Sequence, residues 1–247
     1  RHNKELKITT SGLFLLDRAK EIINLYEGLE QEMKNLGSKR PLKIGATLTV
    51  GNTMISEIVS QLNMQYPDID VTVSIDNTHL LEQRMLHNEL DIALIEGIIT
   101  RKEIQTEPVF QDNLEIICSP LHPLAKSPCI QMEDLANQTF IMREQGSGTR
   151  DIFENIMHTN HIPFVTKWES CSSSAIIDAV RHNLGIGILS SRCIKEYAEK
   201  GDVVICPIDA VTISRYFYLC YNQNHPFTSQ MKDFSDLIHQ LAEKPIP

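Results

Sequence analysis

Three short loops of this chain carry clustered hydroxyl and glycine residues, each where a strand pattern gives way to a helix pattern. They are residues 47–52 (TLTVGN), 145–150 (QGSGTR) and 172–174 (SSS). Glycine lets a backbone approach a ligand closely, and the free N–H groups that open a helix favour negative charge. In open α/β sheets such loops border the ligand site. The pattern predicts a site for a small anion or an amino-acid-like molecule.

If the three loops face one cleft, they supply a shared set of ligand contacts. The candidate binding residues are Thr47, Thr49, Asn52, Gly146, Ser147, Gly148, Thr149, Ser172 and Ser173. Any one loop by itself is better explained as a helix cap, because Ser and Thr are common N-caps. Three equivalent loops together favour the cleft. Glu96, just past an apolar strand, is compatible with the cleft or with the surface.

Catalytic and metal motifs are not found in the sequence. No Gly-Lys-Ser/Thr follows residues 146–149, and Gly-x-Ser-x-Gly does not occur. Cys171 stands beside three serines without an assigned base, and a buried thiol is the commoner role for such a residue. The six cysteines show neither C-x-x-C nor zinc-finger spacing, which predicts free thiols, a reducing cytoplasm and no metal or cofactor.

The elements that position these loops alternate between strand and helix. A first set contains strands at 42–47, 69–75 and 91–95 and helices at 52–66 and 78–88. A second set contains strands at 139–142, 165–168, 186–189, 203–206 and 213–221 and helices at 149–160, 174–182, 192–200 and 229–243. This order predicts parallel sheets built of crossover units, in two α/β lobes of similar plan. We expect strands to cross between the lobes near Ser119 and Asn222.

The N-terminal segment has the repeat of a coiled-coil seam. Apolar residues recur at alternating steps of four and three: Leu15, Ala19, Ile22, Tyr26, Leu29, Met33 and Leu36. Such an a/d repeat predicts a helix that pairs with a second copy. Residues 9–11 (TTS) are suited to cap its start, and Gly37 and Ser38 to end it. The alternative is an amphipathic helix that lies on its own domain.

The charge is unevenly distributed over the 247 residues. Residues 1–40 hold eight Lys/Arg against six Asp/Glu, whereas the whole chain has a net charge of −9. An acidic body cannot hold nucleic acid by neutralising phosphates, so any DNA contact must come from the amino end. No run of eighteen apolar residues and no signal-peptide pattern occur, so we expect a cytoplasmic protein without a membrane partner.

Several segments resemble the LysR-type transcriptional regulators. Residues 1–12 (RHNKELKITTSG) are similar to the end of the family's winged helix-turn-helix, and residues 42–45 (LKIG) to the first strand of its effector domain. Further similar segments are 66–69 (YPDI), 90–94 (LDIAL), 121–124 (LHPL) and 183–189 (NLGIGIL). Each is weak by itself, but their order and spacing extend over essentially the whole chain.

The resemblance implies an α/β fold of two Rossmann-like lobes, the type 2 periplasmic-binding-protein fold, preceded by a long coiled-coil linker helix. It divides the chain into a winged-helix remnant (1–12), a linker helix (13–40), lobe I (41–118 and 222–247) and lobe II (119–221). The implied protein is a non-enzymatic regulator that binds a small co-inducer between its lobes. It would form a homodimer or homotetramer and bind DNA through its N-terminal head, where Arg1 matches a DNA-contacting residue of the wing.

Residues 143–150 (REQGSGTR) are also similar to a stretch in regulators of sulfur assimilation and cysteine synthesis. This similarity makes sulfate, sulfite or an acylated serine plausible effectors. Two other functions remain open from the sequence. One is a free-standing solute-binding protein of the same fold, and the other is an enzyme that holds a phosphate in the Gly146–Thr149 loop.

Overall fold

The structure is a computed structural model that describes residues 8–34, 39–97, 99 and 101–243. Arg1, Leu36, Gly37 and Ser38 therefore lie outside the described residues. Within them the strands are β1 (Arg40–Thr47), β2 (Ile69–Asp76), β3 (Ile92–Glu96), β4 (Ile104–Cys118), β5 (Thr139–Arg143), β6 (Val165–Ser170), β7 (Ile186–Ser190), β8 (Val204–Ile205) and β9 (Ile213–Asn222). The helices are α1 (Thr10–Lys34), α2 (Leu48–Thr53), α3 (Ile55–Gln65), α4 (Thr78–Leu86), α5 (Gly148–Thr159), α6 (Ser173–Arg181), α7 (Ser191–Glu199) and α8 (Ser229–Ala242).

The strands form a mixed sheet rather than purely parallel ones. Its order is β2-β1-β3-β9-β4-β7-β5-β6, with β8 paired to β4. The outer groups β2-β1-β3 and β7-β5-β6 are parallel, as the alternation predicts. The two central strands, β9 and β4, run antiparallel to their neighbours. The expectation of parallel pairing is thus wrong at the centre, because β4 and β9 join the two groups by direct pairing instead of by helical crossovers.

Strand β4 is the element that the sequence patterns did not predict. It has 15 residues and pairs with β9 over ten positions, from Ile104 opposite Asn222 to Leu114 opposite Ile213. Its register shifts between Pro108 and Phe110. A proline in mid-strand and polar residues on the outward face hide the strand from a search for apolar runs.

The predicted helix over residues 52–66 is in fact two helices, α2 and α3. They are separated at Met54, whose backbone (φ −136°, ψ −37°) is not helical. The Met54 N–H still donates to the Val50 carbonyl, and the Ile58 N–H donates to the Met54 carbonyl, so the break leaves these backbone groups paired.

Buried apolar residues form separate clusters on the two sides of the central strands. In the first lobe (β1–β3 with α2, α3, α4 and α8), Ile44, Leu62 and Phe234 are fully buried in one cluster. In the second lobe (β5–β7 with α5, α6 and α7), the Phe140 and Phe153 rings pack with their centroids 4.7 Å apart. The α/β fold of two lobes is thus confirmed, whereas the boundaries drawn between the lobes from the sequence stay a prediction.

Helix α1 is a long helix whose apolar side chains are exposed. Thr9 caps it, since the Gly12 N–H donates to Thr9 Oγ1 at 3.1 Å. More than half of each described large seam side chain is exposed: Leu15, Ile22, Tyr26, Leu29 and Met33. These five do not pack on the protein's own lobes, contrary to the alternative of an amphipathic helix lying on them. In the described part of the chain, no helix is both long and apolar enough to span a membrane.

Candidate functional site

A cavity of about 540 Å³ lies where α2 of the first lobe meets α6 and α7 of the second. Its lining residues are Leu48, Asn52, Thr53, Cys171, Ser172, Ser173, Ser174, Ile177, Arg192, Cys193, Glu196 and Tyr197. Three of the predicted contact residues, Asn52, Ser172 and Ser173, are therefore brought together from two loops more than a hundred residues apart. The lining mixes hydroxyl, amide and charged groups, which suits a polar ligand.

The serines at the start of α6 combine two roles. Ser172 Oγ accepts from the Ala175 N–H at 3.2 Å, so it is the N-cap of α6, as a purely structural role for this loop requires. It also contacts Ser174 Oγ at 2.9 Å on the cavity wall. Ser173 Oγ is buried without a hydrogen-bond partner in the described part of the chain. The loop is thus a cap that also presents hydroxyls to the cavity.

The other predicted hydroxyls are buried and do not line this cavity. Thr47, Thr49, Ser147 and Thr149 are each at most 2% exposed. Thr47 and Ser147 stand at the N-cap positions of α2 and α5, yet neither side chain makes a capping hydrogen bond. Among the residues described, Thr47 Oγ1 and Ser147 Oγ have no partner. Capping therefore does not explain these two hydroxyls, and buried polar groups without partners are rare.

The glycine loop of the second lobe lies directly against the first lobe. A Cβ placed on Gly148 would be 2.5 Å from the Glu96 carbonyl oxygen and 2.7 Å from Gly97 Cα, distances that no side chain tolerates. Gly146 adopts a left-handed conformation (φ 83°), and its carbonyl accepts from the His79 N–H at 3.4 Å. The glycines of this loop thus serve a backbone-to-backbone contact between the lobes, which we call the Gly97–Gly148 contact.

A buried arginine joins both lobes to the central strands. Arg215, in β9, forms an ion pair with Asp112 of β4 (Nε to Oδ2, 2.7 Å). Its Nη1 donates to Thr149 Oγ1 at 2.8 Å, and its Nη2 donates to Thr49 Oγ1 at 3.4 Å. Arg215 Nη2 also lies 3.4 Å from Glu96 Oε2. One guanidinium therefore connects hydroxyls from two of the three predicted loops.

The two carboxylates beside this guanidinium differ in the hydrogen bonds that their oxygens accept. Asp112 accepts from Ser190 Oγ at 2.7 Å in addition to Arg215, and Arg192 Nε lies 3.8 Å from its Oδ1. The sequence left open whether Glu96 lies in the cleft or on the surface. Glu96 is 1% exposed, so the surface position is wrong. Its Oε1 accepts from Thr49 Oγ1 at 2.8 Å, while its Oε2 has no hydrogen-bond partner in the described part of the chain.

Arg215 and Asp112 are site residues that the sequence patterns did not reveal. Both stand in strands whose inward positions are otherwise apolar, such as Phe110 and Leu114 in β4 and Ile213 and Phe217 in β9. A charge on the inward row of an alternating strand is costly unless it is paired. Once β4 and β9 are both recognised as strands, their alternation of inward and outward residues predicts that Asp112 and Arg215 are buried and paired.

The thiols near the cavity have different environments. Burial first, and then the negative charges of Glu96 and Asp112, raise the pKa of Cys193 to about 11. The Ser173 hydroxyl lies near this thiol and opposes the shift, although its geometry falls short of a hydrogen bond. Cys171 is exposed, so the expectation of a buried thiol is wrong there, because its loop projects at the cavity rim. In the described residues, no three His, Cys, Asp or Glu side chains are grouped to hold a metal ion.

Comparisons of the chain with a family model and with individual proteins point to the same family. A family model described as the LysR substrate binding domain matches residues 36–243. The HTH-type transcriptional regulator CysL of Bacillus subtilis is 30% identical over 217 residues, which cover 87% of this chain and 73% of CysL. The HTH-type transcriptional regulator YeiE of Escherichia coli K12 is 30% identical over 237 residues, which cover 96% of this chain and 80% of YeiE.

Two solved structures have the same fold. The CcmR regulatory domain of Synechocystis PCC6803, solved in complex with 2-PG, aligns with a TM-score of 0.77 at 25% identity, covering 83% of this chain and 99% of that domain. The effector binding domain of QuiR, solved with shikimate, aligns with a TM-score of 0.75 at 20% identity, covering 85% and 100%, and supports the fold alone. The chain belongs to the LysR family, and it contains the ligand-binding regulatory domain of a LysR-type transcriptional regulator.

Proposed function

We propose that this chain senses a small polar effector between its two lobes and transmits its binding to DNA-bound subunits. The observation that carries the proposal is the cavity between α2 and α6/α7, which joins Asn52 of the first lobe to Ser172 and Ser173 of the second. A ligand that contacts both lobes stabilises their closed arrangement, because it binds the closed state better than the open one.

The effector that fits these surroundings is a small acid or an amino-acid-like metabolite, including sulfur-containing ones. Hydroxyls and the Asn52 amide can donate to an anionic group, and Arg192 brings a cation to the cavity wall. The related CcmR domain binds 2-PG, which supports a small-molecule ligand for this fold. CysL, which is similar in sequence, is an HTH-type transcriptional regulator, and this supports a regulatory role for the chain.

Dimerisation through α1 is the second part of the proposal. Its large seam side chains are more than half exposed, and a seam of this spacing is buried only against a partner helix. We further infer a homodimer or homotetramer in the cytoplasm whose winged-helix heads contact DNA, with Arg1 in the wing. The heads would then be held at a spacing that the α1 pair and the regulatory domains set together.

A thermal-shift panel tests the effector site. The ligands are sulfate, sulfite, thiosulfate, O-acetylserine and simple carboxylates, with chloride as a control. A compound at a hundred times its Kd adds about 2.7 kcal/mol of stability, which for a chain of this size raises Tm by roughly 5–10 °C. Asn52→Ala and Ser172→Ala should remove the shift, whereas Ser60→Ala, on the exposed face of α3, should keep it.

Two results would contradict this function. One is that no member of the panel, and no fraction of a small-molecule extract from cells, stabilises the protein. The other is that a stabilising ligand keeps its full effect in both Asn52→Ala and Ser172→Ala, which would place its site elsewhere.

A further inference from the structure

Two cysteines bring their sulfurs into contact in the apolar core of the second lobe. Cys118 Sγ lies 3.2 Å from Cys206 Sγ, although the two residues are 88 positions apart in sequence. Both side chains are at most 2% exposed, and both belong to the buried cluster that contains Phe140 and Phe153. Since a disulfide bond is about 2.05 Å long, the sulfurs need to approach each other by only about 1 Å to be joined.

The pairing of β4 with β8 places these two side chains on the same side of the sheet. Cys118, the last residue of β4, is opposite Val204 of β8. The Cys206 N–H donates to the Ile116 carbonyl at 2.9 Å, which continues the same register one residue beyond β8. Residues two apart along a strand face the same side, so Cys206 shares the side of Val204 and is a diagonal neighbour of Cys118. The contact between the sulfurs thus follows from the strand register.

Strand β8 is short enough to open and to adjust its position. It has two residues, both half-buried, and it pairs with β4 beside the main path of the sheet. Pro207, which follows Cys206, is exposed. Short pairings of this kind open locally at a lower free energy than the long strands of a core. Opening of β8 therefore gives a small molecule access to the two sulfurs, and movement of β8 can bring the sulfurs to bonding distance.

The hydrogen bond between the two thiols gives them different reactivities. It lowers the pKa of Cys118, against the opposing effect of burial. The same hydrogen bond, together with burial, raises the pKa of Cys206. The thiolate is the nucleophile in thiol oxidation. Cys118 is therefore suited to react first with an oxidant, and Cys206 is placed to react with the product.

We propose that Cys118 and Cys206 form a redox modification site, which a small hydroperoxide converts into an intramolecular disulfide bond. The Cys118 thiolate attacks the terminal peroxide oxygen, the O–O bond breaks, and Cys118 becomes a sulfenic acid. The departing hydroxide or alkoxide takes up the proton that the Cys118 thiol lost. The Cys206 thiol then attacks the Cys118 sulfur, the S–S bond forms, and the sulfenic oxygen leaves as water. Two thiols thus lose two electrons to one peroxide, and a dithiol can reverse the reaction by thiol–disulfide exchange.

The disulfide bond would close a covalent loop around most of the second lobe. The chain between Cys118 and Cys206 contains β5, β6, β7, α5, α6 and α7. A bond that closes so long a loop restricts the unfolded chain and stabilises the folded one. Neither cysteine lines the effector cavity, so this modification goes beyond effector sensing and does not depend on it.

Peptide mapping of the oxidised protein tests the proposal. The starting protein is the double variant Cys129→Ser/Cys171→Ser, because both residues are exposed and could otherwise form disulfide bonds between molecules. It is treated with hydrogen peroxide at a concentration that oxidises Cys171 in the unsubstituted chain. The protein is then unfolded, alkylated and digested without reductant. We expect the peptides that contain Cys118 and Cys206 to be joined, and dithiothreitol to separate them.

Cys220 is the internal control for burial. It is fully buried, as Cys118 is, but its sulfur donates to the Tyr218 carbonyl at 3.5 Å instead of contacting a thiol. Cys220 should therefore remain reduced under the same treatment.

Two further substitutions in the starting protein separate the roles of the thiols. Cys206→Ser keeps a hydrogen-bond donor beside Cys118 but cannot form the disulfide bond, so Cys118 should stop at the sulfenic acid, which dimedone labels. Cys118→Ser should leave Cys206 unoxidised. The disulfide bond should raise Tm of the starting protein by roughly 5–10 °C, and peroxide should not raise Tm of Cys206→Ser.

The proposal is overturned if Cys118 and Cys206 are both still alkylated after peroxide treatment, or if either is joined to a different cysteine. It is also overturned if the oxidised starting protein melts no higher than the reduced one. Either result would show that the two thiols pack only as small apolar side chains. The mapping and the melting of the starting protein decide the matter even if Cys206→Ser or Cys118→Ser does not fold.

Discussion

Asp112 and Arg215 face each other across the two central strands of the sheet and form an ion pair of 2.7 Å, with each residue at most 5% exposed. The strands that carry them connect the two lobes. The same guanidinium contacts Thr49 in the first lobe and Thr149 in the second. The pair therefore fixes a point that both lobes share, and a change in lobe arrangement must rearrange hydrogen bonds at this arginine.

Removing this guanidinium should destabilise the protein severely. In Arg215→Met, Asp112 and Glu96 keep their charges without the cation, and breaking a buried pair costs about 3–5 kcal/mol. Urea unfolding followed by circular dichroism measures the loss. Arg181→Met is the control, because its pair with Asp178 is exposed and should change stability by less than about 1 kcal/mol. Equal losses in the two variants would contradict a structural role for Arg215.

The helix α1 seam can be tested with two adjacent apolar residues. Ile22 belongs to the heptad seam and Ile23 does not, yet both are more than half exposed. Ile22→Lys should convert the dimer to a monomer, since a charge buried in the seam is unpaired, while Ile23→Lys should remain dimeric. Light scattering coupled to size-exclusion chromatography gives the mass of each species. A wild-type monomer, or equal effects of both substitutions, would contradict the seam.

A methyl group at the contact between the lobes should hold them apart. In Gly148→Ala the new Cβ would lie 2.5 Å from the Glu96 carbonyl oxygen and 2.7 Å from Gly97 Cα, so backbone must move. We expect a loss of about 1–3 kcal/mol, typical of overpacking, and a larger radius of gyration by small-angle X-ray scattering. Ser60→Ala, on the exposed face of α3, should leave both the stability and the radius unchanged. An unaltered radius together with unaltered stability in Gly148→Ala would show that the contact is not tight.

The cysteines should react with iodoacetamide in an order set by burial and pKa. Cys129 and Cys171 are exposed and should be alkylated first, while Cys118, Cys206 and Cys220 are buried and should resist. The pKa of Cys193 is raised to about 11, chiefly by burial, so its neutral thiol predominates below that pH. Its alkylation rate should rise about tenfold per pH unit up to that value, because only the thiolate reacts.

Ligand protection extends this experiment to the cavity. Cys193 lines the cavity, so a bound effector should slow its alkylation while leaving Cys129, which lies outside the cavity, unaffected. Peptide mass spectrometry follows each site separately. Rapid labelling of Cys193 at neutral pH would contradict its buried environment.

The two buried thiols Cys118 and Cys206 illustrate what a local pattern cannot reveal. They are 88 residues apart in sequence, and their sulfurs are 3.2 Å apart. The absence of motif spacing correctly predicted free cysteines. Their proximity arises only because β4 and β8 pair in one register, with Cys118 opposite Val204.

Local patterns of residues were enough to predict most of the elements and the family of this protein. Apolar periodicity and turn residues are local signals, and they predicted most helices and strands, such as β2, α6 and α8, to within about two residues. Three hydroxyl loops were also visible, because each follows its own strand. Strand β4 was missed, since Pro108 and outward polar residues interrupt its apolar pattern.

How these loops are used depends on the packing of the whole fold. Tertiary packing placed Asn52, Ser172 and Ser173 on a cavity, and it buried Thr47, Thr49, Ser147 and Thr149 away from that cavity. It also brought Arg215 to Asp112 and Glu96 from positions more than a hundred residues away. Burial and ion pairing depend on the register of strands that are distant in sequence, and no local pattern of residues encodes that register.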